Sequence, residues 1–435
     1  MSPTKSVCLA CLTSPSSLFG YDQGDLAGLL AVPQFRQQFP QVDTIGNPGN
    51  VHVATIQGIT VAAWNIGCFI SAMLTIFWGD VIGRKKTILV GITFLIIGEI
   101  IQASSYSFGQ LIAGRVIAGF GNGFNTATVP AWQAECTKAH RRGTMLMISA
   151  GACIAAGLAF SYWMAFAFAF IDSSAAWRVP IAIQLLGAAL TLCILFFMPE
   201  SPRWLILSGR EDEALNVLSA LNDADRHSHE TRQEVLQIKD AVIEMAAGGT
   251  ADVFAMGDYR HLHRVILAYI LQILQQMSGI NLVSQYFALM FIQQFHYTRW
   301  VAMLIAARAG TEFFLASFVA VIGIDRFWGR RSLLIFGATG MSISMVVITV
   351  MAYLDDRASR IVATVFLFVY CSFFAIGWQG MAWLYQVEII PLRIRGPANA
   401  LSTSANWLMN FVVVLIAPVA LNNIGYKTYI IFAAT

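Results

Sequence analysis

Long apolar runs dominate this chain and restrict what it can fold into. About eleven complete runs approach or exceed the roughly 20 residues that a helix needs to cross a membrane. A twelfth begins near Tyr426 and stops at Thr435, too early to cross. Because the runs are continuous and do not alternate, they predict membrane helices and not barrel strands. The complete runs cover residues 7–32, 53–78, 87–104, 108–132, 144–170, 177–198, 263–293, 299–323, 332–354, 361–386 and 398–421.

The composition excludes most soluble classes. Hydrophobic residues make up 57% of the chain and charged residues 12%, about half of the charged share in a soluble domain. A net charge of +3 gives no electrostatic reason to expect nucleic-acid binding. No nucleotide loop, HExxH motif or nucleophile elbow occurs, so we predict neither an enzyme nor a cofactor or metal site. The sequence predicts an all-α integral membrane protein.

A polar region separates two similar halves. Residues 199–262 are rich in charge, and apolar positions at helical spacing over 211–221 and 230–245 predict short amphipathic helices there. The motif of residues 79–86, GDVIGRKK, follows the second run, and a related motif at 325–331, DRFWGRR, follows the eighth. Such repeats are typical of transporters with a site between their halves. We therefore predict a six-helix bundle over 1–198, a cytoplasmic linker over 199–262 and an incomplete second bundle over 263–435.

The short loops carry unequal numbers of basic residues. The side richer in lysine and arginine is normally cytoplasmic, which places the linker and the N-terminus in the cytoplasm. The plasma membrane is the expected location. The richer side holds Arg84, Lys85, Lys86, Lys138, Arg141, Arg142, Arg326, Arg330, Arg331, Arg393 and Arg395, and the other side holds Arg36, Arg178, Arg299, Arg357, Arg360 and Lys427.

Several motifs in a fixed order resemble the sugar porter family of the major facilitator superfamily, especially fungal proton-coupled sugar and glycerol permeases. They include Gly20-Tyr21-Asp22, Gly114-Arg115, the PESPRWL of residues 199–205, the QQMSGIN of residues 275–281 and Trp383-Leu384-Tyr385. The resemblance implies the major facilitator fold, with two six-helix bundles and the last helix incomplete. It implies a carrier that needs lipid and no partner subunit.

The chain departs from the family pattern at identifiable positions. Ala150 stands where the family usually has a substrate-binding glutamine, and Gln386 stands where fungal relatives usually have proline. Trp328 adds a residue to the second-half loop motif. Without the fifth-span glutamine, the sequence leaves hexoses, pentoses, disaccharides, glycerol and hydroxylated acids open as substrates.

Charged residues inside the spans are the candidates for coupling, because each costs at least about 3 kcal/mol at mid-bilayer. The resemblance implies that Asp22 binds the proton and that Arg115 is its partner. A nearby guanidinium keeps a carboxylate charged, whereas burial favours its protonated form; a permanent ion pair between two helices is the alternative. We interpret Asp25 as a solvated vestibule residue and Glu99 as a packing or gate residue. The spacing of Arg308 and Glu312 predicts a structural i, i+4 pair.

Amide and aromatic side chains form the candidate substrate site. Amides donate to and accept from sugar hydroxyls, and flat rings cover their C–H faces. Gln275, Gln276 and Asn281 fit this chemistry, and the resemblance implies that they contact the substrate. It implies the same role for Phe19, Trp383, Asn406 and Trp407.

Charges in the loops of both halves form a candidate gate. The simpler interpretation is that these charges only set the orientation of the chain in the membrane. The paired spacings of Glu135 before Arg142 and Glu388 before Arg395 favour a cytoplasmic latch, in which the halves pair when the carrier faces outward. The latch residues are Asp80, Arg84, Glu135, Arg142, Arg331, Glu388 and Arg395.

Together these features predict a secondary active transporter, a proton symporter of a sugar or small polyol that works by alternating access. An uncoupled, facilitative sugar carrier is the first alternative. A non-transporting nutrient sensor and an inactive truncated fragment are the others.

Overall fold

The computed structural model describes residues 15–137, 142–222, 224–226, 228–246, 260–324, 328–391 and 394–435, except the side chains of 80, 142, 222, 230 and 241–246. Regular structure in this part is helical. We number the bundle helices α1 to α12. They are α1 Pro15–Leu29, α2 Val51–Ile82, α3 Arg84–Ala103, α4 Phe108–Glu135, α5 Arg142–Met147 continuing through Ile148–Cys153 to Ile154–Phe168, α6 Ala175–Phe197, α7 His261–Met277 and Ile280–Gln293, α8 Arg299–Gly323, α9 Arg330–Leu354, α10 Arg357–Phe374 continuing through Ala375–Gln379 to Met381–Ile389, α11 Arg395–Ile424 and α12 Lys427–Ala434.

The predicted fold class is confirmed. Within the described residues, nine helical segments are long and apolar enough to cross a membrane. α1 and α4 complete the predicted set of eleven. α1 is described over 15 residues from Pro15, and α4 is diluted by polar residues such as Arg115, Asn122 and Asn125. α12 covers eight residues and packs on α9, where Ser342 donates to the Ala433 carbonyl at 2.9 Å.

Three helices are interrupted near the centre of the bundle. α5 and α10 each contain a π-helical turn, Ile148–Cys153 and Ala375–Gln379. α7 breaks at Gly279, whose φ of +89° favours glycine. A Cβ there would lie 2.7 Å from the Phe432 ring, so space also requires glycine. π-helical turns such as those in α5 and α10 are frequent at functional sites because they release backbone groups from the regular helical hydrogen bonds.

Glycines let the helices approach closely. A Cβ at Gly119 would lie 2.0 Å from the Trp64 carbonyl oxygen, so α4 and α2 touch backbone to backbone. The same holds between bundles, where a Cβ at Gly58 of α2 would lie 2.4 Å from the Leu415 carbonyl oxygen of α11. Small residues at such contacts drive helix association in lipid, where burial from water does not contribute.

Short helices lie between α6 and α7, over Pro202–Leu207, Glu211–Asn222 and His229–Ala246. Trp204, Leu205, Leu218 and Val235 form a small apolar core among them. Surface ion pairs join them as well, with Lys239 Nζ 2.6 Å from Glu211 Oε2. The sequence-predicted amphipathic segments thus lie in helices whose apolar faces pack together.

Candidate functional site

The break in α7 brings two candidate substrate amides together. Asn281 Nδ2 donates to Gln276 Oε1 across the break. Gln23 of α1 donates to Asn281 Oδ1 at 3.4 Å. Gln276 and Asn281 are buried. A contact between the two halves is therefore built directly on the predicted substrate residues.

Gln275 of α7 meets Asn406 of α11. Asn406 Nδ2 donates to Gln275 Oε1 at 2.9 Å and to Gln272 Oε1 at 2.6 Å. Gln275 Nε2 donates to the carbonyl of Trp378 at 3.2 Å, in the π-helical turn of α10. Three helices, α7, α10 and α11, are thereby tied at one point.

This network continues through further amides. Gln272 Nε2 donates to Gln386 Oε1 at 2.5 Å, and Gln386 Nε2 donates to Asn399 Oδ1. Asn399 Nδ2 then donates to the Ala127 carbonyl of α4 at 3.4 Å. We call Gln275, Asn406, Gln272, Gln386 and Asn399 the amide chain. It links the predicted substrate residues of the second bundle to the backbone of the first.

Aromatic rings from both bundles pack beside these amides. Phe19 of α1 stacks on Trp64 of α2 with ring centroids 6.0 Å apart and meets Trp407 of α11 edge-on at 5.2 Å. Trp407 Nε1 donates to Thr126 Oγ1 of α4 at 3.2 Å. Two of the predicted aromatic residues, Phe19 and Trp407, therefore lie in a single cluster at the bundle interface.

Trp383 lies on a cavity of about 20 Å³ that Phe19, Asn125 and Ala150 also line. Ala150 is the position where the resemblance leads one to expect glutamine, so the short side chain leaves this space open. The Asn125 amide is buried, and neither its nitrogen nor its oxygen has a hydrogen-bond partner in the described part of the chain. Asn125 thus offers free polar atoms at the side of the site where the glutamine is missing.

A larger cavity of about 400 Å³ opens at the opposite end of the helices, away from the basic loops. Its polar wall includes Gln57, Gln293 and Asn422, and its apolar wall includes Tyr286 and Leu421. Tyr286 breaks the second segment of α7 with φ −126° and ψ 18° and donates to the Val414 carbonyl at 2.9 Å. This cavity therefore borders the helix segment that carries Asn281.

Four ionisable groups are buried together in the first bundle. The exposed fractions are 6% for Asp22, 4% for Asp25, 1% for Glu99 and 4% for Arg115. Each carboxyl interacts electrostatically with the Arg115 guanidinium. The nearest atoms nevertheless form no ion pair within 4.0 Å in the described chain; Arg115 Nη2 instead donates to the Val61 carbonyl at 3.3 Å. The interpretation of Asp25 as a solvated vestibule group is wrong, because helix packing encloses it.

Two ion pairs on the basic side each lie within one bundle of the described chain. Arg84 Nε lies 3.4 Å from Glu135 Oε2, which also accepts from Ser201 at 2.5 Å. Glu388 accepts two hydrogen bonds from Arg330, at 2.9 and 3.1 Å. The described residues contain no latch ion pair that joins the two halves.

Other latch residues have different positions. Arg331 is exposed, and Arg395 donates to the Ile390 carbonyl at 3.3 Å. The side chains of Asp80 and Arg142 lie outside the described residues. The predicted pair of Arg308 and Glu312 is absent from the described chain, because Glu312 accepts from the Ser372 hydroxyl while Arg308 faces outward.

Sequence reasoning did not single out Gln23, Gln272, Asn399 or Asn125 as site residues. A lone amide in an apolar run is usually a packing residue, so none gave a strong signal by itself. The available signal was helical spacing, since Gln272 precedes Gln275 and Gln276 by three and four residues and shares their face.

Comparisons with known proteins agree with this architecture. Residues 7–435 match the family model described as "Sugar (and other) transporter". The sugar transporter STL1 of Saccharomyces cerevisiae is 34% identical over 96% of this chain and 74% of its own length. The major facilitator superfamily transporter mfsA of Aspergillus fumigatus is 32% identical over 96% of this chain and 78% of its own length.

Solved structures show the same fold. The proton:xylose symporter XylE bound to 6-bromo-6-deoxy-D-glucose superposes with a TM-score of 0.84 at 24% identity, over 99% of this chain and 93% of that chain. A partially occluded, inward-open form of XylE from E. coli gives 0.81 at 24% identity, over 99% of this chain and 94% of that chain. The relatives are transporters and not enzymes. This chain belongs to the sugar transporter family of the major facilitator superfamily.

Proposed function

We propose that this protein is a proton symporter of a sugar or small polyol that works by alternating access. One observation carries the proposal: the candidate proton residue Asp22 is followed on α1 by Gln23, which contacts a candidate substrate residue. Asp22 is buried beside Arg115, and Gln23 bonds to Asn281 of the other bundle. A movement of α1 that follows substrate binding at Asn281 therefore also moves the carboxyl.

The chemistry of the site supports a polyhydroxylated substrate. Gln275, Gln276, Asn281 and Asn406 supply donors and acceptors, and in this structure they satisfy one another. A sugar hydroxyl replaces such partners at little cost, because it also donates and accepts. We assign substrate contact to these amides and to Phe19, Trp383 and Trp407, whose rings surround the small cavity or pack beside it.

Coupling supplies the driving force. One proton that crosses 100 mV yields about 2.3 kcal/mol. That energy supports roughly 40-fold accumulation of a neutral solute before any pH gradient is counted. Asp22 takes up a proton from the side of the larger cavity. It releases the proton on the basic side after the bundles move to open toward that side. We place the basic side in the cytoplasm, following the loop charges, and propose the plasma membrane as the location.

The gate on the basic side acts within each bundle in this proposal. Arg84–Glu135 and Arg330–Glu388 hold the ends of their own helices. One hydrogen bond that joins the two bundles runs from Asn399 to the Ala127 carbonyl. Opening toward the cytoplasm breaks that bond and leaves the ion pairs intact.

The test is uptake into proteoliposomes that hold a pH gradient, with labelled D-glucose, D-xylose and glycerol. A symporter concentrates at least one of these solutes and loses the accumulation when a protonophore is added. Solute-driven proton entry, followed with an internal pH dye, is the second expected result. Uptake that only equilibrates, with no proton entry, identifies the facilitative carrier and overturns the symport proposal.

A further inference from the structure

The buried charge cluster holds three carboxyls against one guanidinium. Asp22, Asp25 and Glu99 carry up to three negative charges, and Arg115 carries one positive charge. An apolar interior does not hold uncompensated charges without a large desolvation cost, so protons neutralise the excess. The cluster therefore holds protons that the interaction of Asp22 with Arg115 does not account for.

Asp22 and Glu99 are the pair within this cluster that touch. Their side chains lie within hydrogen-bonding range of each other, whereas Asp25 interacts with Asp22 only through charge. A carboxylate has no hydrogen to give to another carboxylate, so this contact is a hydrogen bond only when one of the two carries a proton. Asp22 Oδ2 accepts no hydrogen bond from a donor group in the described chain.

The surrounding groups fix Glu99 in place. Gln102 Nε2 donates to Glu99 Oε1 at 3.0 Å. The remaining titratable or charged groups near the pair are Tyr21 and Asp25 on α1, Cys68 on α2, Arg115 on α4 and Tyr286 on α7. α6 contributes the neutral amide of Gln184.

We propose that Asp22 and Glu99 together hold the coupling proton as a carboxyl–carboxylate pair that bridges α1 and α3. This proposal rests on the proposed proton symport. One proton enters the pair, is shared between an oxygen of each residue, and leaves when α1 moves away from α3. The separated carboxylate of Asp22 is then stabilised by Arg115, the cation whose charge acts on Asp22 in this structure.

The test compares Glu99→Gln, Glu99→Asp and Asp22→Asn in proteoliposomes, with the labelled D-glucose, D-xylose or glycerol that the wild type concentrates. Accumulation and proton entry report coupling, and exchange of labelled for unlabelled solute reports alternating access without it. Glu312→Gln is the matched control, because Glu312 is a membrane carboxyl of the second bundle that accepts from Ser372.

We expect Glu99→Gln to lose accumulation and solute-driven proton entry while exchange continues. Glu99→Asp should keep accumulation with a shifted pH profile, and Glu312→Gln should match the wild type. If Glu99→Gln concentrates solute as the wild type does, the shared site is wrong; loss of coupling in Asp22→Asn would then leave symport through Asp22 alone.

If the Glu99→Gln protein shows no exchange of labelled for unlabelled solute, Glu99→Asp tests the shared site. An unchanged pH profile in Glu99→Asp contradicts the shared site, and a shifted profile supports it. A wild type that never moves protons contradicts symport itself, which distinguishes that failure from failure of the Glu99 assignment.

Discussion

Gln272 of α7 donates a hydrogen bond to the side chain of Gln386 of α10 at 2.5 Å, and both side chains are buried. Gln386 occupies a position where the family resemblance leads one to expect proline. Its amide completes a path from the substrate residues to Asn399 and the Ala127 carbonyl of the first bundle. The candidate substrate site and the Asn399–Ala127 contact between the bundles therefore belong to a single hydrogen-bonded network.

Removing Gln386 should therefore change the gate more than the binding site. Gln386→Leu removes the bond that Gln272 Nε2 donates and the bond that Asn399 Oδ1 accepts, at a cost of about 1–3 kcal/mol. We expect the contact between Asn399 and Ala127 to loosen, so a cysteine introduced at Ala127 should react faster with a membrane-permeant thiol reagent. Equal reaction rates in the variant and the parent protein would show that the amide chain does not hold this contact.

Substrate affinity should depend on the amides beside the α7 break. Gln276→Ala or Asn281→Ala removes one partner of a buried pair and should weaken binding by about 1–3 kcal/mol, roughly 5- to 150-fold in Kd. Gln37→Ala is the control, since Gln37 is exposed on a short surface helix. Affinity is measured by competition in uptake assays. Wild-type affinity in both variants would remove these residues from the site.

Two glycines should tolerate alanine very differently. A Cβ at Gly119 would lie 2.0 Å from the Trp64 carbonyl oxygen, whereas nothing lies within 4 Å of one at Gly109. Gly119→Ala should prevent α4 from packing on α2 and should reduce the yield of folded protein, because overpacking displaces backbone. Gly109→Ala should express normally. Size-exclusion profiles of the two detergent-solubilised variants test this, and matching profiles would contradict the close contact.

The two ion pairs on the basic side should differ in their contribution to stability. Arg84 and Glu135 are about nine-tenths buried, whereas Arg330 and Glu388 are about one-third exposed. Removing one partner of a buried pair costs about 3–5 kcal/mol, whereas exposed pairs contribute about 0–1 kcal/mol. Arg84→Ala should therefore lower the apparent Tm in detergent well below that of Arg330→Ala. Equal Tm values would mean that water reaches Glu135.

The membrane helices could be predicted from the sequence because each corresponds to a continuous apolar run. The run at 299–323, for example, coincides with the helix Arg299–Gly323. Partner choice was less predictable. Adjacent residues point about 100° apart on a helix, so packing alone decides that Glu388 meets Arg330 and not Arg331. The burial of the Asp25 side chain was equally hard to predict. Its spacing from Asp22 gave the helical face, but only the neighbouring helices show that this face is enclosed at that level.

Asp22→Asn is the most discriminating test of proton coupling. The substitution removes the titratable group and keeps a side chain of similar size that still forms hydrogen bonds. We expect loss of accumulation and of pH-dependent uptake, while exchange of labelled for unlabelled solute continues, because rocking of the bundles does not require the proton. Arg115→Ala should also impair net uptake, since the guanidinium that stabilises the Asp22 carboxylate is removed. The comparison uses equal amounts of reconstituted protein at external pH 5 to about 8, the range over which native stability is usually highest. An Asp22→Asn protein that still concentrates solute and carries protons inward would show that Asp22 only holds α1 in place, and the proton would then have to bind at Glu99 or Asp25.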